Sequence, residues 1–141
     1  MQGILLDTNV LSELMRPRPA AAVIDWFGRL DDTSFFISAV TRAEILLGVA
    51  LLPAGRRRDA LADSAEKMFA EDFAGRCLAF DEACASAYAL LVAARTHLGQ
   101  TISTEDAQIA AVALCHGLPL ATRNTKDFRD IDGLAVINPW D

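Results

Sequence analysis

The chain has 141 residues, 52% hydrophobic and 23% charged, with a formal net charge of -6. That length and apolar content support one packed domain over 1–141, and no apolar stretch approaches the ~20 residues that span a bilayer. The acidic balance excludes a surface that grips nucleic acid by bulk electrostatics and favours a basic protein partner.

The elements follow in chain order. Residues 3–7 read as a short buried strand, Ile4-Leu5-Leu6, delivering Asp7. Residues 9–15 read as a helix that stops at Arg16-Pro17-Arg18-Pro19, where proline forbids continuation. A second helix is expected over 20–30, a turn at Asp31-Asp32-Thr33, and a buried strand at Phe35-Phe36-Ile37-Ser38. Helices are expected over 41–51 and over Arg56 to Ala74, with Pro53-Ala54-Gly55 between them and Gly75 as the stop. Cys77 to Phe80 reads as a third strand, 82–98 as an Ala-rich helix and 104–116 as a helix stopped by Gly117. Leu120-Ala121-Thr122 and Ala135-Val136-Ile137-Asn138 complete five strands. Strands alternating with helices predict an α/β fold, a parallel sheet covered on both faces. The start, Met1-Gln2-Gly3, carries no basic leader, and Cys77, Cys84 and Cys115 form no CxxC pair. They read as small reduced core residues of a cytoplasmic protein.

Four acidic positions each follow or open an apolar run: Asp7 in Asp7-Thr8-Asn9, Glu44 in Thr41-Arg42-Ala43-Glu44-Ile45, Asp106 before Ala107-Gln108-Ile109, and Asp127 in Thr122-Arg123-Asn124-Thr125-Lys126-Asp127. Singly, each has a structural explanation. Asp7 would cap the helix after it, Glu44 would complete a capping box with Thr41, Asp106 would do so with Ser103, and Asp127 would sit in a turn. As a set they say more. Capping needs one oxygen, and neighbouring Ser and Thr can supply it. Carboxylates at the carboxyl ends of parallel strands converge in one crevice, where a hard divalent cation relieves their repulsion and serves phosphate chemistry.

The segments Leu5-Leu6-Asp7-Thr8-Asn9, Thr41-Arg42-Ala43-Glu44-Ile45-Leu46-Leu47-Gly48, Glu105-Asp106-Ala107-Gln108-Ile109-Ala110-Ala111 and Ala121-Thr122-Arg123-Asn124-Thr125-Lys126-Asp127-Phe128 resemble, in order and separation, the motifs of the PIN domain. Val136-Ile137-Asn138-Pro139-Trp140 is similar to the tail of its VapC and FitB branch. The resemblance covers essentially the whole chain. It implies a three-layer α/β/α sandwich around a parallel sheet of about five strands, and a ribonuclease using Mg²⁺ or Mn²⁺. It further implies the toxin of a type II toxin–antitoxin pair, a homodimer silenced by its antitoxin and able to join it in a higher assembly. Asp7, Glu44 and Asp106 match the family's main metal-site acids. The fourth catalytic position falls to Asp127 or to Asn124, where some relatives carry the acid.

Such a site would use metal-activated water to cut RNA (transfer RNA is one possible target), leaving a 5′-phosphate and a 3′-hydroxyl. His97 and His116 are the only histidines; both fall at helix ends and form no pair for 2′-hydroxyl chemistry. Thr8, Asn9, Thr122 and Asn124 are candidates to orient ligands or waters. Arg16, Arg18 and Arg123 are candidates to bind substrate, while Arg56-Arg57-Arg58 reads as a solvated helix start. Trp26, Phe27, Leu46, Leu47, Leu51 and Leu52 exceed the needs of a small core and suit a dimer face or a groove for an amphipathic helix. The rivals fit less well. A haloacid-dehalogenase-type phosphohydrolase wants an aspartate at the position of Asn9, and a receiver domain wants an acidic pair and a lysine in another order. A binding module would keep the acids as caps and bind no metal.

Overall fold

The computed structural model describes residues 2–141. Among these residues five strands form one parallel sheet: β1 (Gln2–Leu6), β2 (Thr33–Ser38), β3 (Cys77–Leu78), β4 (Leu120–Ala121) and β5 (Val136–Ile137), in the order β3-β2-β1-β4-β5. Six α-helices connect them: α1 (Thr8–Leu14), α2 (Ala21–Gly28), α3 (Ala39–Ala50), α4 (Arg56–Lys67), α5 (Glu82–His97) and α6 (Thr104–Cys115). From central β1 the chain builds outward through β2 and β3, then crosses back to build β4 and β5 on the other side. The order therefore reverses between β1 and β4, and parallel sheets open a crevice at such a point.

The pleat explains the layers. In β1, Ile4 and Leu6 point into a core shared with Val10, Leu11, Trp26, Ile45 and Phe69, whereas Leu5 points into the opposite core with Leu91, Ile109, Val112 and Phe128. Both faces are thus covered, which is why β1 reads as a continuous apolar run rather than an alternating one. Burying each of these side chains contributes about 1.5–3 kcal/mol. Gly3 is required by close approach: a Cβ there would lie 2.8 Å from the Leu118 side chain and 2.9 Å from the Phe36 ring. Gly117 ends α6 at φ +63°, the left-handed conformation that glycine tolerates.

Three expectations are corrected. The helix expected from Arg56 to Ala74 is α-helical only to Lys67, then widens into a π-helical turn over Met68–Asp72, with Phe73 N–H donating to Met68 C=O at 3.2 Å. Met68, Phe69 and Phe73, carried on and just after this wider turn, are all buried in the core. Helix α3 is capped by Ser38, whose Oγ accepts from Thr41 N–H at 3.0 Å, so Thr41 and Glu44 form no capping box. Trp26 and Phe27 are not surplus apolar surface: Trp26 is buried and stacks edge-on against Phe27, with both rings against Phe35. Among the described residues, the large exposed apolar side chains are Leu46, Leu47 and Leu51 around α3, Leu90 and Leu98 around α5, and Ile24.

Candidate active site

Asp7 follows β1 at the switch point and is still tied to the sheet, its N–H donating to Ala121 C=O at 2.9 Å. It caps α1, with Oδ1 accepting from Thr8 N–H at 2.8 Å. Oδ2 accepts from Thr122 Oγ at 2.7 Å and from Asn9 Nδ2 at 3.3 Å. Thr122 stands just past β4, so the two central strands deliver donor and acceptor to the same edge. Asn9 adds a second tie across the switch point: its Nδ2 donates to Thr122 Oγ1 at 3.1 Å and its Oδ1 accepts from Arg123 N–H at 3.1 Å. Asn124 N–H donates to the same Thr122 oxygen at 3.1 Å.

Glu44 reaches the crevice from α3 and is fixed by a chain of hydroxyls. Thr8 Oγ1 donates to Glu44 Oε1 at 2.7 Å. That leaves Thr8 to accept from Thr41 Oγ1, 3.0 Å away, while Ser38 Oγ donates to Thr41 Oγ1 at 3.4 Å. The Glu44 carboxylate thus ends a row of hydroxyl dipoles that begins at the end of β2. Asp106 arrives from the first turn of α6, where Ser103 accepts its N–H at 3.1 Å and caps the helix. With Ser103 as the cap, the Asp106 side chain is free to face the crevice.

Asp7, Glu44 and Asp106 therefore line one cavity of about 460 Å³, with Thr8, Asn9, Ser12, Glu13, Arg16 and Asn124. Burial, first, and the charges of Asp106 and Glu44 push the Asp7 carboxyl from 3.8 up to about 6, although the Thr122 and Thr8 hydrogen bonds pull it down. Asp106 is also raised, by burial and by the charges of Asp127, Glu44 and Glu105, against the opposing Ser103 hydrogen bond. The acids repel one another in a partly dry crevice, the condition that a bound cation relieves.

The other expected residues fall in different places. Arg16 lines the crevice and pairs with Glu13 at 3.3 Å, whereas exposed Arg18 is not among the lining residues. Arg123 lays its guanidinium over the Trp140 ring, 5.0 Å from the centroid. Asp127 lies in a 3₁₀ turn (Thr125–Phe128), exposed and outside the crevice lining, though its charge acts on Asp106; Asn124 does line the crevice.

Sequence reasoning missed two charged residues. Glu13 is 6% exposed, and Ala20 N–H donates to it at 2.7 Å. That bond, with Arg16, holds its carboxyl below the usual range. Its place one helical turn after Asn9 was a readable signal. Arg95 is also 6% exposed and donates to the backbone carbonyls of Asp127, Arg129 and Thr101. It binds the loop that enters α6 to the turn carrying Asp127.

Fold and crevice define a class: an α/β/α domain with an oxygen-donor site at the carboxyl edge of a parallel sheet. The chain belongs to the PIN domain family, whose model matches residues 4–134. It is similar to Toxin FitB of Neisseria gonorrhoeae, 46% identical over 138 residues covering 97% of this chain and 98% of the relative. It is also similar to VapC ribonuclease Y4jK of Sinorhizobium fredii, 41% identical over 138 residues and 98% of each chain. Among solved structures, FitAB bound to an IR36 DNA fragment superimposes with a TM-score of 0.89 at 42% identity, over 98% of this chain and 96% of that one.

Proposed function

We propose that this protein is a divalent-metal-dependent endoribonuclease, the toxin of a toxin–antitoxin pair. The observation that carries the reading is the convergence of Asp7, Glu44 and Asp106 in one crevice at the switch point of the sheet. The names of its relatives, a toxin and a VapC ribonuclease, support it.

The donor set suits a hard cation. The three acids offer only oxygen, and the one guanidinium lining the cavity, Arg16, is paired with Glu13. Asp7, Glu44 and Asp106 would hold Mg²⁺ or Mn²⁺, with Asn124 alongside and Asp127 acting through its charge or through water. The chemistry supplied by such an ion would be a more acidic bound water and neutralisation of a non-bridging phosphate oxygen. The protein's own groups do the rest. Thr122, Thr8 and Asn9 fix the Asp7 carboxylate. Glu44 has one oxygen committed to Thr8 and a second available to take the attacking water's proton. Arg16 draws the RNA phosphate toward the acids, with Arg18 and Arg123 contributing at longer range.

An apolar groove of about 590 Å³ opens beside the crevice, lined by Met15, Ile45, Val49, Leu52 and Leu61. It shares Thr8, Ser12, Arg16 and Glu44 with the crevice. An amphipathic antitoxin segment seated there would cover the acids, and a basic residue on it would meet them directly. Exposed Leu90 and Leu98 on the far side suit a homodimer.

The test is cleavage of a labelled RNA panel, transfer RNA included, by protein purified away from its partner. We expect cleavage with Mg²⁺ or Mn²⁺, none with EDTA, none from Asp7→Asn, and 5′-phosphate ends. Cleavage that persists in EDTA, or at wild-type rate in Asp7→Asn, would overturn the reading.

A further inference from the structure

The carboxylate crevice leaves a second group of metal-binding side chains unused. Cys84 lies in the first turn of α5, Cys115 is the last residue of α6, and His116 follows it. The two helices pack as a hairpin, which brings the start of one to the end of the other. The ligating atoms of Cys84, Cys115 and His116 all lie within 4.8 Å of one another. Around a tetrahedral Zn²⁺, sulfur at ~2.3 Å and nitrogen at ~2.0 Å stand about 3.5–3.8 Å apart. Small side-chain rotations close that gap. Cys84 is buried, and its Sγ donates to Ala79 C=O at 3.6 Å and also meets the Asp81 carboxylate. Asp81 brings an oxygen beside Cys84: its Oδ1 caps α5 by accepting from Cys84 N–H at 3.2 Å. The Asp81 carboxyl is held low by that bond first and, further down, by the charge of His116.

We propose that Cys84, Cys115 and His116, with Asp81 or water at the fourth position, form a structural Zn²⁺ site that clamps the start of α5 to the end of α6. The chemistry separates this site from the crevice. Two sulfurs and an imidazole select a borderline-soft cation, whereas the crevice of carboxylates selects a hard one. About 14 Å of helix separates Cys115 from Asp106 along α6, so the two sites do not share ligands. Zn²⁺ would take each cysteine as thiolate and release its proton.

Co²⁺ serves as a visible probe of Zn²⁺. The full-length protein, its thiols reduced, is titrated with Co²⁺ and then with Zn²⁺. The expected result is a near-ultraviolet sulfur-to-cobalt charge-transfer band that saturates at one equivalent and is erased by Zn²⁺. The band should persist in Asp7→Asn, which disables the crevice alone, and vanish in Cys115→Ser that retains the wild-type circular dichroism. Should Cys115→Ser fail to fold, the decision falls to His116→Ala, an exposed position, read as Zn²⁺ affinity against a chromophoric chelator. There the account expects a loss of at least about tenfold. No charge-transfer band in the wild type, a band surviving in folded Cys115→Ser, or unchanged affinity in His116→Ala would overturn the proposal.

Discussion

On the β1 side of the crevice, Asp7 is 4% exposed and both its oxygens accept hydrogen bonds, from Thr8, Asn9 and Thr122; on the α6 side, Asp106 is half-buried while Asn124 and Asp127 are exposed. The first half is assembled by the fold itself, because its parts sit at the ends of adjacent central strands and the sheet register fixes them. The second half hangs on a helix start and a 3₁₀ turn, joined through Arg95. Under the proposed function the difference would assign two jobs: one carboxylate prepositioned at the cost of its own desolvation, and others left able to adjust around a cation and a phosphate.

The largest effect is expected where the rigid half is broken. Asp7→Asn should lower RNA cleavage by at least about three orders of magnitude, the several kcal/mol that a metal site supplies. The same variant should be more stable than wild type in EDTA at neutral pH. The Asp7 carboxyl rises from 3.8 to about 6 on folding, so the folded state binds its proton more tightly than the unfolded chain does. The resulting stabilisation is full below pH 3.8 and is lost as pH rises through about 6. Above that pH the ionised group costs up to about 3 kcal/mol, which the neutral amide avoids. Thermal melts in EDTA should therefore show the variant's advantage shrinking as pH falls below 6. An advantage independent of pH would count against the buried, mutually repelling acids.

Breaking the join between the halves comes next. Arg95→Met strands three carbonyls and should cost about 3 kcal/mol, or roughly 10 °C in Tm. Cleavage measured well below the new Tm should fall too, because Asp106 and Asp127 lose their common tether. A smaller effect should follow from Thr122→Val, which removes the shortest bond to Asp7 and should weaken divalent-cation affinity about 10- to 100-fold by calorimetry, with little change in Tm. The smallest is Arg16→Ala. It should leave stability unaltered and lower the salt dependence of RNA binding by about one phosphate contact, read as the slope of affinity against ionic strength. A slope unchanged in that variant would remove Arg16 from the substrate path.

Much of the rigid half was legible in the sequence. Ile4-Leu5-Leu6 announced a strand buried on both faces, and Asp7-Thr8-Asn9 after it marked the carboxyl edge. Glu44, Asp106 and the residues around Thr122 were readable as a set because their short motifs stand in the order and separation of the PIN domain. Arg95 was not legible: nothing in an Ala-rich helix signals that one arginine turns inward, since its acceptors are backbone carbonyls up to 34 residues away. The hydroxyl row from Ser38 to Glu44 was hidden for a related reason, because Thr41 looked like the start of α3 and only the true start, one turn earlier, turns its hydroxyl toward Thr8. The π-helical turn escaped because Phe69 and Phe73 keep the four-residue spacing of an ordinary helix, so the apolar pattern does not mark the change in hydrogen bonding.

Mn²⁺ binding followed by electron paramagnetic resonance at neutral pH, in wild type and Asp7→Asn, tests most directly the claim that these acids form a divalent-cation site. Wild type should quench the free-ion signal saturably, Mg²⁺ should restore it, and Asp7→Asn should bind at least about tenfold more weakly. A wild-type protein that leaves Mn²⁺ free, or an Asp7→Asn variant that binds it as tightly, would contradict the account and return the acids to helix capping.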